Sequence, residues 1–220
     1  IPAGVKSLGS GIFTNCSSLE EMTIPYASFS VCNLFGTSYG SNVSSSLKKV
    51  VITGGTSIAN CAFQDWYYVE SITLPDTVTS IGNYAFEDCD ALKELVIPSS
   101  VTSLGKGAFY SCDSLESLTL PFVGNTLDGA TNAHFGYVFG ASTYSYNSQY
   151  VLGALKNLVI TGGTSIADHA FYNCASIESI SLPETITTIG DYAFFGCSAL
   201  SDFEIPSAVT EIGEYAFFSC

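Results

Sequence analysis

A 23-residue period runs through this chain and leaves few architectures open. Ala85-Phe86-Glu87-Asp88-Cys89 is echoed at Ala108–Cys112, Ala170–Cys174, Ala193–Cys197 and Ala216–Cys220. Between these copies runs a second motif, apolar-x-x-apolar-x-apolar-Pro: Leu92 to Pro98, Leu115 to Pro121, Ile177 to Pro183 and Leu200 to Pro206. Its alternation predicts a β-strand, and the Pro marks where that strand must stop donating hydrogen bonds. A unit this short cannot bury its own apolar face, so such units must stack around a shared core as a solenoid.

With weaker copies aligned, nine Phe anchors stand at positions 13, 35, 63, 86, 109, 139, 171, 194 and 217. Anchors 63, 86 and 109 map onto 171, 194 and 217 at a constant offset of 108, so a four-coil block occurs twice. Each block opens with an expanded coil (26–46 and 122–154) and continues with a Gly-Gly coil, Ile52 to Ile58 and Ile160 to Ile166. Each coil is expected to carry a wall strand such as Ser117–Leu120, then a short extended piece such as Val101-Thr102-Ser103-Leu104, then the Phe-bearing turn. Eight wall strands at ~4.8 Å each predict a sheet roughly 35–40 Å along the axis.

In a stacked solenoid each repeat position becomes a column. The second position of the strand motif reads Glu20, Lys48, Glu70, Lys93, Glu116, Lys156, Glu178, Ser201, alternating in sign over seven coils. Neighbours ~5 Å apart on adjacent strands gain about 0.2–1 kcal/mol when opposite in charge, so this column reads as a register ladder. The fifth position (Thr23, Val51, Thr73, Val96, Thr119, Val159, Ser181, Glu204) is expected to face solvent as a flat, weakly polar sheet. Six of the eight cysteines share one turn column, which explains them as small buried apolar groups and predicts free thiols.

The coil Leu92 to Pro98, Val101-Thr102-Ser103-Leu104-Gly105, Ala108-Phe109-x-x-Cys112 resembles the BspA-type leucine-rich repeat, and the likeness covers nearly the whole chain. It implies an all-β leucine-rich-repeat solenoid of about eight 23-residue coils with parallel strands, two of them expanded by loops. The expected organisation is a single solenoid domain over residues 1–220, cut from a larger protein because the chain stops in mid-motif. Proteins of this family are typically bacterial or protist surface proteins. The resemblance therefore implies an extracellular or cell-surface adhesion module that binds a host or cell-surface protein or a glycan. The alternative is a passive spacer or stalk presenting other domains.

Composition narrows the partners. Charged residues make up 12% of the chain, half the usual share of ~25%, and the formal net charge is −14. All six basic residues are lysines, so no guanidinium is present to fork onto phosphate and nucleic acid is an unfavourable partner. Apolar runs are far shorter than the ~18 residues a spanning helix needs, which argues against membrane insertion. No cofactor, metal site or catalytic constellation is expected. His169 shares the column of Tyr84, Tyr192 and Tyr215 and reads as a stacking residue. The acidic run Glu87, Asp88, Asp90 lacks calcium-repeat spacing, and Gly54-Gly55 and Gly162-Gly163 open no helix and precede no Lys, so they are not phosphate loops. The chain is expected to be a monomer and not an enzyme.

The interrupted coil at 122–154 is rich in Tyr, Phe, Ser, Gly and Asn, the mixture of adaptable binding loops. Tyr144, Tyr146, Tyr150, Tyr137 and His134 are its candidate ligand contacts, with Tyr39 from the shorter copy. Phe139 aligns with the core anchors, and Phe122 and Phe135 are candidates to roof the enlarged coil.

Overall fold

The computed structural model describes residues 1–220 apart from Ala3, Ser38 and Tyr39; the candidate Tyr39 therefore lies outside the described residues. In chain order the strands are β1 (Glu21–Ile24), β2 (Lys49–Ile52), β3 (Ser57–Ile58), β4 (Ser71–Thr73), β5 (Ser80–Ile81), β6 (Glu94–Val96) and β7 (Ser103–Leu104). They continue as β8 (Ser117–Leu120), β9 (Asn157–Ile160), β10 (Ser165–Ile166), β11 (Ser179–Ser181), β12 (Thr188–Ile189), β13 (Asp202–Phe203) and β14 (Glu211–Ile212). All pair in parallel. The wall runs β1-β2-β4 and then β6-β8-β9-β11-β13, while β3-β5-β7 and β10-β12-β14 form the second row. The wall strand and the short extended piece thus recur in every plain coil, as the alternation and the Pro stops require.

Each wall strand alternates inward and outward. In β8, Leu118 and Leu120 are buried, and across the wall Val96 and Val159 look outward, as the fifth position predicts. The inward residues join one apolar core that extends from Met22 to Ala216. Glycine is obligatory where coils nearly touch: a Cβ on Gly105 would collide with the backbone of Gly82 and Asn83, and one on Gly190 with Asp168 Oδ1.

The Phe column forms a ring spine. Phe63, Phe86 and Phe109 stack in sequence with centroids 5.5 and 5.7 Å apart, and Phe171, Phe194 and Phe217 repeat this at 5.1 and 5.1 Å. Along the plain coils each Phe N–H donates to the Ala carbonyl of the next coil: Phe63 to Ala85, Phe86 to Ala108, Phe171 to Ala193 and Phe194 to Ala216. The expanded coils hand this ladder over inside a 3-10 turn. In Phe135–Phe139, Val138 accepts from Phe109, and Phe135 donates to Ala170. In Val31–Phe35, Leu34 accepts from Phe13, and Val31 donates to Ala62. Phe135 therefore carries the spine on to Phe171 at 5.3 Å. Val31 has no ring, and Trp66 fills the same gap between Phe35 (5.8 Å) and Phe63 (5.1 Å).

The charge column closes only in places. Lys48 pairs with Glu70 and Lys156 with Glu178, both at 3.2 Å, and each lysine also donates to a carbonyl two residues before its acid, that of Tyr68 or Ser176. Lys93 makes no ion pair among the described residues, and an unforeseen pair, Lys49–Glu21 at 3.5 Å, lies one position along. These side chains are about half exposed, where solvation competes with a charge attraction of a few tenths of a kcal/mol. The alternating column is a weak bias rather than a continuous ladder.

All eight cysteines are free thiols. Four of the turn column donate to the carbonyl of a Phe on a neighbouring coil: Cys89 to Phe63, Cys112 to Phe86, Cys197 to Phe171 and Cys220 to Phe194, at 2.9–3.3 Å. Side chains aimed at a carbonyl are not aimed at one another. Burial pushes Cys112 and Cys197 up to about 12, and Cys89 and Cys174 well above the usual thiol range. Since the thiolate is the reactive form, a thiol reagent at pH 8 should label exposed Cys16 quickly, Cys220, whose thiol partial burial pushes up, more slowly, and the buried column only on unfolding. Denatured, unreduced protein should titrate close to eight thiols, and two or fewer would show that the column is oxidised.

Candidate functional site

The insertion at 122–154 is fastened by one buried amide. Asn147, fully buried at the start of α1 (Asn147–Tyr150), accepts from Gly136 N–H (3.0 Å) through Oδ1, which also faces His134 Nδ1 (3.3 Å). Its Nδ2 donates to Ala170 O (3.3 Å) in the following coil. The loop, the 3-10 turn and the next coil thus meet on one side chain. Gly136 must be glycine here, because a Cβ would meet Asn147 Oδ1 at 2.5 Å.

His134, a candidate contact residue, is a buried part of this clip. It is 7% exposed, and its Nε2 has no hydrogen-bond partner among the described residues. Burial, with Lys106 adding to it and the Asn147 contact opposing it, holds its pKa below the usual imidazole value. The folded value being lower than the unfolded one, the unfolded chain binds more protons between the two, so stability is lost as pH falls from about 6.5 toward the folded value. Urea midpoints measured from pH 7 to 5 should decline, and His134→Gln should flatten that decline; an unchanged slope would show that the histidine does not contribute.

The exposed aromatic side chains lie elsewhere, along the turn edge. Two backbone positions per turn have positive φ: one before each Ala-Phe (Tyr84 54°, His169 58°, Tyr192 54°, Tyr215 53°) and one before each Cys (Asp88 55°, Ser111 54°, Asn173 56°). The first projects a side chain outward beside the residue that follows Phe. In the second block these two positions form parallel ring rows. Tyr144, His169, Tyr192 and Tyr215 stack at 4.0, 5.1 and 5.2 Å, and Tyr172, Phe195 and Phe218 at 5.0 and 5.2 Å. Tyr144 is 40% exposed, and the inner members His169, Tyr192, Tyr172 and Phe195 are half-buried. On the other side of the insertion, Tyr150 leans on Tyr110 and Tyr110 on Tyr84, each at 6.3 Å. An open groove of about 350 Å³ lies there, lined by Tyr110, Ser111, Asp113, Gln149 and Tyr150.

The candidate tyrosines therefore do not share one groove. Tyr150 lines the groove toward the first block, Tyr144 extends the ring rows of the second, and Tyr146 is exposed without a ring contact among the described residues. Tyr137 is half-buried, edge-on to His134 at 6.2 Å, and burial pushes its phenol up. Phe122, Phe135 and Phe139 are buried. The row Tyr172, Phe195, Phe218 went unread as a surface feature. Its signal was the residue after each Phe anchor, aromatic at 172, 195 and 218 but Gln64, Glu87 and Tyr110 in the first block. At 64 and 87 the edge is polar: Gln64 donates to Glu87 at 2.7 Å, and burial together with Asp88 and Asp65 pushes Glu87 up.

Parallel wall strands, a second row of short strands and a ring-filled turn edge define a leucine-rich-repeat solenoid. The BspA type leucine rich repeat region matches in 6 copies, over residues 1–45, 38–136 and 146–220. The chain belongs to this family. Among solved structures it is similar to a leucine-rich repeat protein from Bacteroides ovatus (23% identity, TM-score 0.55), which covers 100% of this chain and 57% of that one. It is also similar to one from Eubacterium ventriosum (25% identity, TM-score 0.50; 80% of this chain and 41% of that one) and to a leucine rich cell surface protein from Faecalibacterium prausnitzii (26% identity, TM-score 0.44; 100% and 63%). The chain spans 57% and 41% of the first two. No curated protein matches it significantly. Membership indicates an interaction or structural role, and among the described residues no helix is long and apolar enough to cross a membrane.

Proposed function

We propose that this chain is one solenoid domain of an extracellular, surface-displayed recognition module, not an enzyme, that holds a protein or glycan ligand along its turn edge. The observation that carries this reading is the belt of half-buried and exposed rings along the turn edge from Tyr84 to Phe218, interrupted and enlarged by the insertion. The flat face of the wall supplies no aromatic or Arg anchors of the kind that dominate binding energy, whereas the edge concentrates rigid rings in contiguous patches, which monomeric surfaces seldom expose without a partner. A passive spacer has no use for them.

The test is capture of the protein on immobilised matrix proteins and on a glycan array. Replacing Tyr144, Tyr146 and Tyr150 together by Ser should abolish capture by the wild-type ligand. The melting temperature should move by only about 2–4 °C, since each exposed ring contact contributes little. Retained capture would remove the insertion from the site.

A further inference from the structure

The two four-coil blocks share a backbone, so each serves as the other's control. The residue just before the first positive-φ position reads Asn60, Asn83, Lys106 in the first block and Asp168, Asp191, Glu214 in the second. In the first, Asn60 Oδ1 accepts the N–H of Asn83 and Asn83 Oδ1 that of Lys106, both at 2.8 Å. In the second, Asp168 Oδ1 accepts the N–H of Asp191 (2.8 Å) and Asp191 Oδ1 that of Glu214 (2.7 Å). An amide oxygen closes the coils equally well. The negative charge of the second row therefore serves no need of the stacking, and all three acids are exposed.

The same block carries the two ring rows, and residues 157–220 contain eight acids and no Lys or Arg. Because the rings stack face to face, they present edges and phenol oxygens outward, which is a poor platform for a sugar ring seeking an open face. It suits long side chains, whose aliphatic stems cover apolar edges while a cationic head reaches a carboxylate alongside. Resting on the recognition reading above, we infer that the second block's edge docks a cationic, Lys- or Arg-bearing polypeptide segment between its ring rows and the Asp168–Asp191–Glu214 row. The first block has the same backbone, but its corresponding row reads Asn60, Asn83 and Lys106, and its Phe anchors are followed by Gln64 and Glu87 before Tyr110.

The test uses the full chain and fluorescent octa-arginine, with affinity read by anisotropy at low and physiological salt. Asp168→Asn/Asp191→Asn/Glu214→Gln keeps the coil-closing oxygens, as Asn60 and Asn83 show, and should weaken binding by at least about tenfold, with a shallower salt dependence. The triple variant Glu20→Gln/Glu94→Gln/Glu116→Gln removes equal charge from the wall and should change affinity less than about twofold. Tyr172→Gln/Phe195→Gln, which installs the first block's Gln64 type, should also weaken it. Equal losses in the two charge variants would reduce the effect to net charge and overturn the proposal, as would no binding by the wild type. If the tyrosine variants lose capture of the matrix or glycan ligand while the Asp168/Asp191/Glu214 variant keeps it, recognition stands and the cationic partner falls.

Discussion

Asn147→Ala is expected to be among the most damaging single substitutions in the chain, lowering stability by roughly 3–5 kcal/mol. Removing the amide strands Gly136 N–H and His134 Nδ1 in a dry interior and takes from Ala170 O one of its two donors, leaving it Phe135 N–H, and each unsatisfied buried group costs about 1–3 kcal/mol. The effect exceeds that of an exposed ring because Asn147 joins three segments at once. Urea unfolding should show the loss as a shift in midpoint, and Asn147→Asp should recover only the acceptor half of the network, leaving Ala170 O with Phe135 N–H as its one donor. A shift below about 1 kcal/mol would mean that the insertion is held by its apolar contacts alone.

That residue also marks the boundary of what periodicity can reveal. The wall strands, the Pro stops, the inward Phe and Cys columns and the outward fifth position were legible because each recurs in many coils, and a repeated residue type reports a repeated environment. Asn147 has no copy. It stands in a segment that only one coil possesses, so nothing in the chain indicated that an Asn among Tyr and Ser would be fully buried. The burial of His134 was hidden for the same reason: in a loop, a polar residue reads as exposed until the packing around it is known. The charge column failed differently. Its residues alternate as expected, yet half-exposed lysines choose between partners of nearly equal energy, and only Lys48 and Lys156 settle on the next acid. The turn edge was partly visible, since His169 was read as a stacking residue. Its second ring row and the carboxylates beside it become informative only when the two blocks are compared position by position.

The same comparison yields the second large effect. From Phe35 to Phe139 the offset is 104, which places Val31 opposite Phe135, and the offset of 108 places Trp66 opposite Cys174. Each block must bridge a gap in its spine where the expanded coil hands over the ladder. The first does so with a large ring at 66 and a small residue at 31, the second with a ring at 135 and a small residue at 174. All four are buried, and the Trp66 indole N–H is satisfied by Cys32 Sγ at 3.1 Å. Trp66→Cys alone should therefore open a cavity in the core and cost about 3–5 kcal/mol. Val31→Phe alone should overpack the space Trp66 occupies and cost about 1–3 kcal/mol. The double variant rebuilds the second block's solution and should be markedly more stable than the sum of the two losses, with a coupling of about 2 kcal/mol or more in the restoring direction. Because a solenoid's stability is a sum over neighbouring coils, the Trp66→Cys lesion should also uncouple the first expanded coil from the coils after it. Its denaturation curve should become broader or biphasic, while that of the double variant returns to a single transition. Additive losses would show that the two blocks close their spines by unrelated packings.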